Sequence, residues 1–188
     1  MHRPLLTLLL AAATTIVPVA LMAQQPPAAA DALRNLVSQP AKHTAFTFDK
    51  DMISGFLNDQ TEAGRRVAAE LSSITFETFH YHEPAFYTPE GMSAVYAAYN
   101  AAGWKHLVDQ RATAAQSASP DHPLTDLWLH FHGTDIDNVT VLIRAAHEMS
   151  LVEVSGALRP LDLVHLGGKF GIPKVDPGAV MVPAPPGR

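Results

Sequence analysis

Three strand-like runs between residues 127 and 156, with little sequence between them, constrain the fold more than any other feature. In the first, Leu127, Leu129 and Phe131 alternate with Trp128, His130 and His132. In the second, Val139, Val141, Ile143 and Ala145 alternate with Thr140, Leu142 and Arg144. The third covers 151–156. Successive side chains on a strand point to opposite faces, so a period of two suits half-buried antiparallel strands. Leu127, Leu129 and Phe131 are therefore expected to face a core. Trp128, His130 and His132 are expected on the other side.

The surrounding segments read as helices and further strands. Asp49 is a candidate N-cap, followed by Met52, Ile53, Phe56 and Leu57 at helical spacing. Thr61 can cap a second helix, with Glu62 in its first turn and Val67, Ala68 and Leu71 on its apolar face. Residues 74–82 alternate as a strand with apolar side chains on both faces. Thr88-Pro89-Glu90 opens a helix, because proline is tolerated at the first position and glutamate suits the positive helix end. Met92, Val95, Tyr96 and Tyr99 form its buried stripe, and Gly103 ends it. Residues 104–112 follow as a strand, 114–122 as a long hairpin loop, and 160–170 as a short helix ended by Gly167-Gly168. Helices segregated from a strand meander predict a two-layer α+β domain. Its sheet is expected to be mainly antiparallel, with about five strands, and its helices to pack on one face.

The ends of the chain read differently. Residues 1–23 resemble a secretory signal peptide: His2 and Arg3 precede an apolar stretch, and Ala20-Leu21-Met22-Ala23 offers a cleavage site before Gln24. Thr14, Thr15 and Pro18 interrupt that stretch, which argues against a membrane-spanning anchor. Residues 24–44 read as a flexible linker with a short helix near 30–37, and 45–175 as a single α+β domain. Pro177, Pro183, Pro185 and Pro186 mark 176–188 as a disordered tail. The chain has no cysteine, which excludes disulfides, thiolate metal sites, a cysteine nucleophile and a lipid-anchored cysteine at the cleavage point. A secreted domain without cysteine suits a bacterial periplasm or other envelope location. A net charge of −5 with no basic run argues against nucleic-acid binding.

Several pieces resemble a bacterial family of exported proteins catalogued as domain of unknown function 4252. They are 51–57 followed by 61–71, the strand 74–80, Ala101-Ala102-Gly103-Trp104, and the run 139–145. Val152-Glu153-Val154-Ser155-Gly156 before a leucine-rich helix and Lys169-Phe170-Gly171-Ile172-Pro173 complete the pattern, which spans about 48–175. The resemblance implies an exported, compact α+β module with a role in envelope signalling. It implies no reaction and no catalytic residue. The long loop at 114–122 and the histidine content depart from the family, so a histidine function is not implied by it.

Candidate chemistry centres on the ten histidines. Four form two His-x-His pairs, His80-Tyr81-His82 and His130-Phe131-His132. Positions two apart on a strand share a face. If the two strands were neighbours, four imidazoles could converge on zinc, copper or nickel, with Glu83 or Asp135 adding an oxygen. The competing reading is a solvated sheet face. No Gly-x-Ser-x-Gly elbow is present, and Ser54, Ser93 and Ser155 read as turn or helix-surface hydroxyls. Gly167-Gly168-Lys169 lacks phosphate-loop spacing and reads as a helix C-terminus. Asp135 and Asp137 are expected in a hairpin turn. Trp104 reads as a core anchor. Trp128 is either covered by another element or forms an exposed interaction face with His130 and His132.

The sequence thus predicts a small exported, non-enzymatic module that binds a protein partner in the cell envelope or signals there. It predicts no cofactor, no nucleic acid and no membrane anchor after signal removal. A metal-binding protein using His80, His82, His130 and His132 is the alternative, and a homo-oligomer assembled through the Trp128 face is a third.

Overall fold

The computed structural model describes residues 25–56, 61–108, 118–159 and 162–169. The expected signal peptide, the proline-rich tail and residues 109–117 of the expected strand and loop lie outside these. The strands are β1 (Ala41–Asp49), β2 (Leu71–Tyr81), β3 (Lys105–Val108), β4 (Leu124–His132), β5 (Asp135–Arg144) and β6 (Glu148–Leu158). They form one antiparallel sheet in the order β1-β2-β6-β5-β4-β3. The helices among the described residues are α1 (Pro27–Arg34), α2 (Lys50–Phe56), α3 (Glu62–Glu70), α4 (Pro89–Ala101) and α5 (Asp162–Leu166). None is long and apolar enough to cross a membrane.

The α+β class and antiparallel sheet are as expected, with six strands in place of about five. The expectation of helices on one face is corrected: helices cover both. On one face Ile74, Leu127, Leu129, Val139, Val141, Val152 and Val154 pack under Ile53 of α2, Val67 and Ala68 of α3, and Leu163 and Leu166 of α5. On the other, Trp128, Leu142, Met149 and Leu151 pack under Ala29 and Leu33 of α1 and Met92, Val95 and Tyr99 of α4. The out-of-phase side chains Trp128, Leu142 and Leu151 are themselves large and apolar, so a second helical layer removes them from water.

The second correction follows from the first. Residues 25–44, expected as a flexible linker, belong to the packed fold. Pro27 sits at the start of α1, where its missing N–H costs no hydrogen bond. Ala29 and Leu33, four apart, face the sheet, and Leu36 and Val37 are buried beside them. β1 then begins at Ala41.

Local signals behave as read. The Thr61 hydroxyl accepts from the Gly64 N–H at 3.1 Å, and Thr88 accepts from Gly91 at 3.1 Å. Asp49 Oδ1 accepts from the Met52 N–H at 3.0 Å. Gly103, at φ +82°, follows α4 in a left-handed conformation that a side chain would resist. The β4–β5 turn is the two-residue Gly133-Thr134, with Gly133 at φ +65°. Asp135 and Asp137 therefore lie on β5 and not in the turn where they were expected. Phe131, expected in the core with Leu127 and Leu129, is 38% exposed. β3 begins at Lys105, opposite Leu129, so no strand flanks Phe131 on its outer side among the described residues.

Candidate functional site

A cleft of about 380 Å³ opens between α4 and the β3–β4 side of the sheet. Ser93, Tyr96, Ala97 and Asn100 line it from α4, Trp104 from just before β3, His106 from β3 and Trp128 from β4. Residues three, four and seven apart share a helix face, which is why these four α4 side chains reach one opening. The neighbouring stripe of Met92, Val95 and Tyr99 fixes the helix to the sheet.

The cleft wall is an aromatic array. Tyr99 stacks on Trp128 with ring centroids 4.5 Å apart, and His106 stacks on Trp128 at 4.8 Å. Tyr96 lies 4.7 Å from His106. Trp104 meets Tyr99 edge-on at 5.2 Å and His130 at 5.3 Å. Each such aromatic pair adds about 0.5–1.5 kcal/mol beyond its buried area, so the wall is stiff.

A buried ion pair anchors that wall. Asp126 is 4% exposed and Arg144 3%. Arg144 donates to Asp126 Oδ2 from Nη2 at 2.9 Å and from Nε at 3.2 Å. The other oxygen, Oδ1, accepts from the Tyr96 hydroxyl at 3.1 Å and lies 3.1 Å from His106 Nε2. Burial alone would raise the Asp126 carboxyl. The His106 hydrogen bond and the Arg144 charge outweigh it and hold the group below the usual carboxylate range. Tyr96 is pushed up to about 12, chiefly by burial and then by Asp126, so it remains a donor.

A second histidine–aspartate pair flanks the cleft at Trp104. His130 Nδ1 lies 2.6 Å from Asp137 Oδ1. His130 pairs with Asn138 and Phe131 with Ile136, so Asp137 is the extra residue of a bulge on β5. The bulge re-aims its carboxylate toward His130. From the cleft, one cross-strand row runs over the whole sheet: His106, Trp128, Thr140, Glu153, Thr75 and Thr47. Within it, Trp128 Nε1 and Glu153 Oε1 are buried without a hydrogen-bond partner among the described residues. Burial, reinforced by Glu77, pushes the Glu153 carboxyl up to about 7.

The four predicted metal ligands are not brought together. His80 and His130 lie on β2 and β4, with β6 and β5 between them. His80 pairs with Glu148 at one end of the sheet, and His130 pairs with Asn138 toward the other. The two sites are separated by roughly 14 Å across the strands and roughly 20 Å along them. His80 Nδ1 instead sits 3.3 Å from Glu148 Oε2, and His82 and His132 are exposed. Among the described residues no group of three or more ligating side chains could hold a metal ion. The expected interaction face is also corrected. Trp128 is 1% exposed because α4 covers it, whereas His132 points to solvent at the end of β4.

Sequence reasoning missed His106, Asp126, Tyr96 and Arg144. A signal existed for two of them: Asp126 directly precedes the first strand run and Arg144 lies within the second, with opposite charge, on strands read as consecutive and antiparallel. No family model, curated protein or solved structure matches the chain.

Proposed function

We propose that this protein is an exported, non-enzymatic binding module of the bacterial envelope whose recognition site is the cleft beneath α4. The occupant is a flat aromatic side chain presented by an envelope protein partner. The observation that supports this reading is the cleft wall of the half-buried Tyr96 and His106, with the buried Trp104 and Trp128 packed behind it and the Asp126–Arg144 pair beneath. A cleft of about 380 Å³ falls in the size range of sites that take a compact group, roughly 300–1,000 Å³. Asn100 and Ser93 on the rim and His106 on the wall supply polar contacts that orient such a group.

Both tryptophans of the chain line the cleft, so intrinsic fluorescence reports directly on its occupancy. Peptides selected by display against the mature chain should carry a shared aromatic residue, quench or shift that emission, and lose binding in Ala97→Leu. Selected peptides without a common aromatic residue, or undiminished binding by the variant, reject the cleft as the site. Cell fractionation of the tagged full chain tests export separately: a cytoplasmic, unprocessed product rejects the envelope reading.

A further inference from the structure

The edge of the sheet farthest from the cleft is β1. It pairs with β2 through nine consecutive residues without a register shift. Only Ala41 and Phe48 of β1 are half-buried; the other residues are exposed. Its outer side presents a row of backbone N–H and C=O groups with no strand beyond it among the described residues. Edge strands are normally blunted by brevity, proline, a bulge or several charges. β1 is long and regular, has no proline, and carries Phe46 at 51% exposure. Phe46 lies 4.6 Å from Phe48, which meets Phe76 at 5.7 Å, so an apolar strip runs out to the edge.

We propose that β1 is a dimer interface, pairing antiparallel with β1 of a second copy about a twofold axis at Ala45. Charge selects this orientation. Lys42 and His43 stand at the start of the strand, and Asp49 stands at its end, followed by Lys50 and Asp51, so the end is net acidic by one charge. Antiparallel pairing makes His43 of each copy a diagonal neighbour of the other's Asp49 on one face, whereas in-register parallel pairing aligns Lys42 with Lys42 and Asp49 with Asp49. In the register centred on Ala45, Lys42 lies opposite the second copy's Phe48 on one face. Thr44 lies opposite Phe46 on the same face, and the two Phe46 rings become diagonal neighbours there, each covering the other's exposed edge. A second copy also fits better than a head-to-tail array. Among the described residues the far edge, β3, offers four residues against the nine of β1, whereas β1–β1 pairing uses both long edges and closes.

The mature full chain should sediment as a dimer. Phe46→Lys and Phe46→Glu should each sediment as a monomer with unchanged far-ultraviolet circular dichroism, because like charges meet at the axis. An equimolar mixture of the two should restore the dimer. Ala45→Cys introduces a single thiol at the axis, where paired Cα atoms about 4.5–5.5 Å apart suit a disulfide. It should cross-link between copies on mild oxidation far faster than the exposed control Phe86→Cys. A monomeric wild type, a dimer that survives both Phe46 variants, a mixture that stays monomeric, or equal cross-linking by the two cysteine variants overturns the proposal.

Discussion

Arg144 holds Asp126 through two nitrogens on a single oxygen, Oδ2, which leaves Oδ1 for Tyr96 and His106. One carboxylate therefore ties β5, β4, β3 and α4 together beneath the cleft. Asp126→Ala strips the buried counter-charge from Arg144 and should cost about 3–5 kcal/mol in urea denaturation. Asp126→Leu combined with Arg144→Met should recover most of that loss, since an apolar pair needs no compensation. A loss for Asp126→Ala below about 1 kcal/mol would show that water reaches this pair.

The stability–pH profile should have two opposed arms. Burial raises both Asp126 and Asp162. Hydrogen bonds and charge outweigh it, from His106 and Arg144 for the first and from Arg66 and Arg159 for the second, so both end below the usual range. Their contribution is present above the unfolded aspartate pKa and lost as pH falls through the folded one. Glu153 runs the other way, because burial and then Glu77 raise it to about 7. Its contribution is fully present below the unfolded glutamate pKa and is lost as pH rises to about 7. Glu153→Gln should therefore be about 1–3 kcal/mol more stable than wild type near pH 8 and equal to it near pH 4. Equal stability at both values would place Glu153 in contact with water.

Gly156 tests the packing of β6 against the start of β2. A Cβ there would lie 2.5 Å from the Glu70 carbonyl oxygen and 3.0 Å from Leu71 Cα, both backbone atoms. Gly156→Ala should destabilise by about 1–3 kcal/mol, because only a backbone shift makes room. Gly55 in α2 has nothing within 4 Å of its Cβ position, and Gly55→Ala should stabilise by roughly 0.5–1 kcal/mol. Thermal melts of the two variants should move in opposite directions.

Ala97 lies on the exposed rim of the cleft. Ala97→Leu should abolish peptide binding while leaving stability within about 0.5 kcal/mol of wild type. A melt unchanged together with unchanged binding would remove the cleft from consideration.

The strand meander was readable because Leu127, Leu129, Val139 and Val141 alternate over a buried face, and side-chain burial dominates strand patterning. Thr61, Thr88 and Gly103 were readable because capping and left-handed termination depend on neighbouring residues alone. The second helical layer was not. Ala29 and Leu33 sit among prolines and alanines whose composition matches a linker, and only the sheet face opposite them shows what they cover. The cleft was hidden for a related reason. Asp126 and Arg144 are 18 apart in sequence and Asp126 and His106 are 20 apart, so only strand pairing brings their charges together. The His-x-His pairs misled because spacing fixes a common face within a strand and says nothing about which strands are neighbours.

The cleft and β1 occupy opposite margins of one rigid sheet. Pairing through β1 as proposed would set two identical clefts on the order of 45 Å apart, at roughly 4.8 Å for each strand crossed. Such a dimer would act as a ruler. A partner bearing two recognition groups at that spacing would engage the second at a high effective concentration once the first is bound, and one bearing a single group would gain nothing. Weak individual contacts would then discriminate between an assembled, repetitive envelope structure and its scattered subunits.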